Sequence, residues 1–280
     1  MSPRQKILFY FIPLFCLLFL ALALWQGQRG EHSAGLSLSP VVLSVYCDHQ
    51  LEDAAEAILA AYQRRSQTQV DLISVAPEDW AEKLGQLAPN ALLLSLEMLP
   101  EQTTADGLRT HPLVLAKAVP LLSVKPELTS RLRSWQDFCA ADLRLAIPSM
   151  VNSALGRSMA AILRDQGLGW EDISSKIAYR SSDGDYLVRS IALEKADAAI
   201  VWEANARHYS SLVKALVFPG NEKYAAELSL HYLPASDTAA TAQRQLINFL
   251  TGSLAAELWR DFGYQPNTEA SQSFCGEDCD

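Results

Sequence analysis

Apolar and polar positions repeat with two different periods along residues 41–268. Short apolar runs rich in β-branched residues predict strands, and the longer amphipathic segments between them predict helices. Strands that alternate with helices are typical of parallel sheets covered by helices on both faces. Because the span is longer than one small sheet needs, we expect an α/β fold with two lobes. The predicted strands are Val41–Cys47, Val70–Val75, Ala91–Leu96, Leu113–Val124, Leu143–Ile147, Lys176–Tyr179, Ala198–Trp202 and Leu228–Leu233.

Helix boundaries are indicated by capping residues and by glycines. Asp185 is placed to cap one helix, and Asp237 and Ser253 are placed to cap the last two. Gly167, Gly252 and Gly263 are placed to end helices. The predicted helices include one with the apolar stripe Leu51, Ala54, Ala55, Ile58, Leu59 and Tyr62, and further helices over Trp80–Leu87, Ala154–Gln166 and Tyr186–Lys195.

The N-terminus differs from the rest of the chain. Arg4 and Lys6 precede an uncharged apolar run, Ile7–Trp25, which predicts a membrane-inserting helix in residues 1–25. The run fits either a signal peptide cleaved near Ala21–Ala23 or an uncleaved anchor that spans the bilayer. Residues 26–40, rich in Gly, Ser and Gln, fit a linker. Both alternatives place the remaining chain at the periplasmic or other extracytoplasmic face of the membrane.

Composition narrows the class of partner. The chain has 280 residues and a formal net charge of −9. An acidic chain lacks the basic face that phosphate neutralisation requires, so we predict no nucleic-acid partner. A hydrophobic content of 49% fits a folded protein.

The cysteines are compatible with export. Cys16 lies in the apolar run, which leaves Cys47, Cys139, Cys275 and Cys279. An even number in an oxidising compartment suggests disulfides, with three pairings open, and a paired Cys47 is the expectation. Neighbouring residues at a strand end rarely converge on one ion, so Cys47, Asp48 and His49 do not predict a metal site.

Enzyme motifs are lacking in the sequence. It contains no Gly-x-Ser-x-Gly elbow, no phosphate-binding loop and no His-Glu-x-x-His pattern. We therefore predict a binding protein that is not an enzyme and needs no cofactor or metal.

A set of sequence segments, taken in chain order, carries a family resemblance. The segments are LSVYCDHQL at 43–51, NALLLS at 90–95, LAIP at 145–148 followed by SALGR at 153–157, EKADAAIVWEANA at 194–206, and GYQP at 263–266. In order and spacing they are similar to periplasmic solute-binding proteins of the molybdate-binding type. The similarity covers about Val41 to Thr268.

The resemblance implies a two-lobed periplasmic-binding-protein-like fold with two crossing hinge strands. The crossings would lie near Leu115–Val124 and Leu228–Leu233. On this basis lobe 1 would comprise 41–118 and 230–268, lobe 2 would comprise 119–229, and 269–280 would form a C-terminal tail. A small anion such as a molybdate-like oxyanion would bind between the lobes and pass to an ABC transporter permease.

The resemblance also implies the ligand-binding positions. The first ligand serine of the family falls on Gln50, the second on Ser95, and the binding tyrosine on Trp202. Trp202 equally suits a residue that fills the core at the end of a strand. Ser153 and Asn152 lie at a helix start, where unpaired N–H groups attract an anion, although both residues also suit a simple cap. The predicted ligand-binding residues are thus His49, Gln50, Ser95, Asn152, Ser153 and Trp202, with a secondary role for Arg157.

Carboxylates near the predicted cleft disfavour unaltered molybdate recognition. Asp48, Glu97 and Glu203 would repel an oxyanion unless they are paired or point away. One alternative hypothesis is a binding protein for a small organic or otherwise different anion. The other is a membrane-tethered sensor or binding domain for a small organic ligand.

Overall fold

The computed structural model describes residues 41–88, 90–97, 112–149, 153–233, 235 and 237–267. The predicted membrane segment, the linker, the C-terminal tail and Asn152 lie outside the described residues. Within the described ranges no helix has the length and apolar character needed to cross a membrane.

The described strands and helices alternate along most of the chain. Numbered in chain order, the strands are β1 Val42–Asp48, β2 Gln69–Val75, β3 Leu92–Ser95, β4 Leu113–Ala118, β5 Pro120–Val124, β6 Leu145–Pro148, β7 Ile177–Ser181, β8 Ala198–Trp202, β9 Lys214–Leu216, β10 Ala226–Tyr232 and β11 Gln265–Pro266. The α-helices are α1 Glu52–Gln63, α2 Trp80–Leu84, α3 Trp135–Ala140, α4 Ala154–Asp165, α5 Glu171–Ser174, α6 Gly184–Ala192, α7 Glu203–His208, α8 Asp237–Leu250 and α9 Ser253–Asp261.

The strands form two sheets, and we call the part of the fold around each sheet a lobe. The first lobe has the strand order β11-β4-β10-β3-β1-β2, and the second has β7-β6-β8-β5-β9. Strand β1 pairs in parallel with β2 and β3, but β10 pairs antiparallel with β3 and β4. In the second sheet β6 is parallel to β7 and β8, whereas β5 is antiparallel to β8 and β9. The expectation of parallel sheets is therefore confirmed only for β1–β3 and β6–β8. Both sheets are mixed, because the strands at the two crossings run against their neighbours.

The chain crosses between the sheets at two places. Val119 alone separates β4 from β5, so the first crossing coincides with the predicted segment Leu115–Val124. The second predicted segment, Leu228–Leu233, instead contributes most of its length to β10 of the first sheet. The return crossing precedes Ala226, between β9 and β10. The residue boundaries of the lobes stay a prediction.

Strand side chains alternate between the two faces of the first sheet. On β3, Leu92 and Leu94 join the main core, which extends through both sheets. Leu93 points to the opposite face and packs in a smaller cluster with Tyr46, Val75 and Trp80. A strand with apolar residues on both faces must be buried on both, which fits the central position of β3.

Two predicted helix caps lie elsewhere. Asp183, rather than Asp185, caps α6, because its side chain accepts a hydrogen bond from the Asp185 N–H. Gly252, rather than Ser253, is the N-cap of α9, and Ser253 is already helical. Each helix therefore starts earlier than the sequence indicated.

Cys47 and Cys139 are buried, and within the described ranges both are free, so the structure does not show the disulfide expected for Cys47. Both side chains belong to the main apolar core, Cys47 on β1 and Cys139 on α3. Burial raises the pKa of the Cys47 thiol to about 12 and that of Cys139 to about 11. Both thiols are therefore protonated at neutral pH.

Candidate ligand-binding cleft

The carboxyl ends of strands from the two sheets face each other. Glu97, two residues after β3, contacts Ala154 and Arg157 on α4, the helix that follows β6. His49, directly after β1, lies with its Nε2 atom 3.5 Å from the Oδ2 atom of Asp183, which follows β7. In α/β sheets ligands bind outside the carboxyl ends of strands. These contacts therefore locate a candidate cleft between the two lobes.

Asp48 is a buried carboxylate at the end of β1. Its Oδ2 atom accepts hydrogen bonds from the Ser95 hydroxyl at 2.9 Å and from the Leu96 N–H at 2.5 Å. Its Oδ1 atom accepts a hydrogen bond from the Trp80 indole. Burial raises the pKa of Asp48 to about 6, although the Leu96 N–H bond acts in the opposite direction. Asp48 therefore fixes the loop after β3 from within the protein.

Ser95, the predicted ligand serine, is fully buried. Its hydroxyl donates to Asp48 and accepts a hydrogen bond from the Glu97 N–H at 2.9 Å. A hydroxyl group has one hydrogen to donate. The Asp48 carboxylate at 2.9 Å is a closer acceptor than the Glu97 carbonyl at 3.3 Å, so the Ser95 hydroxyl donates to Asp48 while its oxygen positions the Glu97 backbone.

Glu97 binds the N-terminus of α4 across the cleft. Its Oε1 atom accepts the Ala154 N–H at 2.7 Å, and its Oε2 atom lies 3.0 Å from the Nη2 atom of Arg157. The Glu97 side chain is only 8% exposed. The first N–H groups of a helix lack partners within the helix, and the helix dipole adds positive potential there. The α4 N-terminus and Arg157 thus form an anion-binding group that already holds a carboxylate.

Ser153 is the N-cap of that helix. Its hydroxyl accepts a hydrogen bond from the Gly156 N–H at 3.0 Å and donates one to the Ser149 carbonyl at 2.7 Å. The residue is fully buried. The capping alternative considered for Ser153 accounts for both bonds.

A cavity of about 510 Å³ has the Glu97–Arg157 pair in its wall. Its size falls within the range of about 300–1,000 Å³ that is common for small-molecule sites. Lys223 and His231 lie in the same wall, and burial lowers the pKa of His231. This cavity gives a solute access to the anion-binding group.

An acidic cavity of about 100 Å³ lies on another side of the lobe junction. Asp183 and Asp185 from the second lobe line it, and burial raises the pKa of Asp185. The Asn205 side-chain amide donates to the Asp185 carboxylate at 3.0 Å, and its oxygen accepts a hydrogen bond from the backbone N–H of Trp202 at 3.2 Å. The other ionisable side chains in the wall are His49, Glu52, Asp53, His208 and Tyr264.

Gln50 and His49 also line a neighbouring cavity of about 230 Å³, together with Ser181, Ser182 and Asp183. The Gln50 Oε1 atom is buried and has no hydrogen-bond partner among the described residues. His49 contacts Glu52 at 3.0 Å and Ser74 at 3.1 Å through its Nδ1 atom. Both predicted ligand residues therefore lie at the lobe junction.

Trp202 lies where the core-filling alternative places it. It is 1% exposed and packs in the main core at the end of β8. Its indole N–H lacks a hydrogen-bond partner within the described part of the chain, and Trp202 does not line any of the three cavities above. This position fits a residue that fills the core.

The remaining carboxylate near the predicted cleft, Glu203, pairs with Arg207 one turn later on α7 at 2.8 Å. Sequence reasoning missed the roles of Asp183 and Asp185, because the segment Ser181–Asp185 has the composition of a plain turn and cap. It also underrated Arg157, whose position one turn after Ser153 places it beside the helix start. Among the described residues, no group of three His, Cys, Asp or Glu side chains is arranged to hold a metal ion.

Comparison with known proteins identifies both a family and a fold. A model of the family described as bacterial extracellular solute-binding protein matches residues 43–265. A sequence comparison with curated proteins finds no match.

Solved structures share the fold at low sequence identity. The substrate-binding domain assigned to a molybdenum ABC transporter of Clostridium difficile is 14% identical, with a TM-score of 0.63 over 81% of this chain and 99% of that chain. The periplasmic molybdate-binding protein of Azotobacter vinelandii is 15% identical, with a TM-score of 0.62 over 80% of this chain and 99% of that chain. The sulfate-binding protein SubI of Mycobacterium tuberculosis is 15% identical, with a TM-score of 0.63 over 84% of this chain and 90% of that chain.

Proposed function

The chain belongs to the bacterial extracellular solute-binding proteins, and we propose that it captures a small oxyanion between its lobes for uptake by an ABC transporter. Proteins of this family bind solutes and are not enzymes.

A single observation carries the choice of an anion. The α4 N-terminus and the Arg157 guanidinium together bind the carboxylate of Glu97. Helix N-termini hold phosphate, sulfate and carboxylate groups through the same unpaired N–H groups, and a guanidinium adds a charge-assisted bond. A free oxyanion that enters the adjoining cavity meets the donors that now hold Glu97.

The structural relatives support this ligand class. Of the three similar structures named above, one is described as part of a molybdenum ABC transporter, one as molybdate-binding and one as sulfate-binding. Molybdate and sulfate are small tetrahedral anions, and neutral N–H donors at helix starts suit them. Gln50 and His49 at the lobe junction remain proposed contacts, as do Ser95 and Trp202 from the resemblance and Ser153 and Asn152 from their place at a helix start.

Calorimetric titration of the purified chain with molybdate, tungstate, sulfate and phosphate tests the proposal. We expect one of them to bind with micromolar or tighter affinity. Arg157→Gln should weaken this binding by up to about tenfold, because the loss of a charged hydrogen bond worth about 1.5–3 kcal/mol is partly offset by the release of Glu97 from the same guanidinium.

Arg164→Gln is the matched control for this titration. Arg164 lies on the same helix, but its side chain is 76% exposed and lies 3.8 Å from Asp165. It should leave the affinity unchanged. If no oxyanion binds more tightly than millimolar, or if both variants weaken binding equally, the oxyanion proposal is wrong.

A small organic cation is the second candidate, and the acidic wall around Asp183 and Asp185 favours it. Four carboxylates and two histidines line that cavity, so it attracts an amine. Titration with putrescine and arginine under the same conditions distinguishes the two candidates. If these amines bind and the oxyanions do not, the ligand is a small organic cation.

Export through residues 1–25 and a membrane-tethered sensor role remain proposals, because those residues lie outside the described ranges. Mass spectrometry of the N-terminal peptide of the chain recovered from cells distinguishes the alternatives. A peptide that begins after Ala23 indicates a released uptake component, and one that retains Ile7–Trp25 indicates a tethered protein.

A further inference from the structure

Glu97 lies in the place where the proposed ligand would bind. It is in the first lobe, yet both of its carboxylate oxygens contact α4 in the second lobe. The carboxylate neutralises Arg157 and satisfies the first N–H of α4, which are the two features that would attract an oxyanion.

The position of Glu97 is held by its own lobe. Its N–H donates to the Ser95 hydroxyl at 2.9 Å, and Ser95 in turn donates to the buried Asp48. The preceding Leu96 N–H is bound by the same Asp48 carboxylate. This chain of bonds from β1 through β3 directs the Glu97 side chain across the cleft.

We propose that Glu97 is an internal ligand: without solute it holds the lobes together through α4, and an incoming oxyanion must displace it. This inference rests on the proposed function, since it assigns the same donors to Glu97 and to the solute. Glu97 and an oxyanion cannot occupy these donors at the same time. The contact of Glu97 with Ala154 and Arg157, here called the latch, therefore stabilises only the closed form without ligand. Glu97 therefore lowers the apparent affinity and sets the concentration at which the protein fills.

Affinity measurements on three variants test the competition. Glu97→Ala frees the Ala154 N–H and the Arg157 guanidinium. Glu97→Gln keeps an amide oxygen for the Ala154 N–H but loses the ion pair. Glu227→Gln is the control, because it removes a charge elsewhere in the same cavity wall. We expect Glu97→Ala to bind the oxyanion about tenfold more tightly than wild type. Glu97→Gln should fall between them, and Glu227→Gln should stay near wild type.

A distance measurement without ligand tests the latch itself. Spin labels at Glu56→Cys on α1 and Arg164→Cys on α4 report the separation of the lobes, measured by double electron–electron resonance. Cys16, Cys275 and Cys279 are replaced by Ser in this background, and the buried Cys47 and Cys139 should stay unlabelled. We expect Glu97→Ala to shift the distance distribution, whereas Glu227→Gln should leave it unchanged.

Two results would overturn the inference. One is a distance distribution in Glu97→Ala identical to that of wild type. The other is an oxyanion that binds both variants measurably but binds Glu97→Ala no more tightly than Glu227→Gln. If no variant binds an oxyanion but Glu97→Ala still shifts the distances, the ligand assignment fails while the latch stands.

Discussion

At the residue scale, Gly263 shows how a single position joins two elements. It ends α9 with a φ of 91°, in the left-handed region that favours glycine. A Cβ atom there would lie 2.9 Å from the Cα atom of Ala204 at the start of α7. Conformation and close approach therefore both require glycine.

We expect Gly263→Ala to lower the free energy of unfolding by about 2–5 kcal/mol, since left-handed strain and backbone overpacking add. Gly220→Ala is the control, because Gly220 has a φ of 82° but a Cβ atom there would meet no other atom within 4 Å. It should lose only about 1–2 kcal/mol. Urea unfolding measures both, and equal losses would show that the contact with α7 does not matter.

At the element scale, α4 connects the cleft with the second lobe. Its start is capped by Ser153 and faces Glu97, while its buried face, including Leu155 and Met159, packs in the main core. The same helix therefore contributes to stability through its packing and to binding through its N-terminus.

We expect Ser153→Ala to destabilise the protein by about 1–2 kcal/mol, and Ser153→Gly by only a few tenths, because Gly is a tolerated N-cap. Ser134→Ala, at the cap of α3, should cost about 1 kcal/mol for its single bond to the Asp137 N–H. Urea unfolding gives the stabilities, and titration gives the affinity. An affinity loss in Ser153→Gly as large as in Arg157→Gln would show that the hydroxyl contacts the ligand.

At the scale of the whole molecule, contacts from both lobes meet in one cleft. The buried Asp48, which holds the loop after β3 beside that cleft, also affects the stability of the whole protein. Burial is the largest cause of its raised pKa of about 6. The folded state therefore binds this proton more tightly than the unfolded chain does. The stability that Asp48 contributes is fully present below about pH 4 and is lost as pH rises through about 6.

We expect the unfolding free energy of wild type to fall between pH 4 and pH 7 by on the order of 3 kcal/mol more than that of Asp48→Asn. The exposed Asp79→Asn controls for the removal of one carboxylate and should follow wild type. Urea unfolding at several pH values makes the comparison. A parallel pH dependence of Asp48→Asn and wild type would contradict the burial argument.

The sequence by itself determined the alternation of strands and helices, the helix stop at Gly263 and the two-lobed family fold. These features depend on local periodicity, on backbone conformation and on segments whose order is visible in the chain. Gln50 and His49 were also predictable cleft residues, because they follow a strand directly.

Only the tertiary structure decided what the cleft side chains contact. The sequence could not show that Ser95 donates to Asp48, that Trp202 fills the core, or that Cys47 is buried in the same core, because each depends on residues distant in the chain. Glu97 is the clearest case, since its two partners on α4 lie 57 and 60 residues away. A carboxylate near the cleft repels an anion if it points into free space, but it takes the anion's place if it reaches the same donors. The folding of both lobes sets the spatial distance that decides between these outcomes.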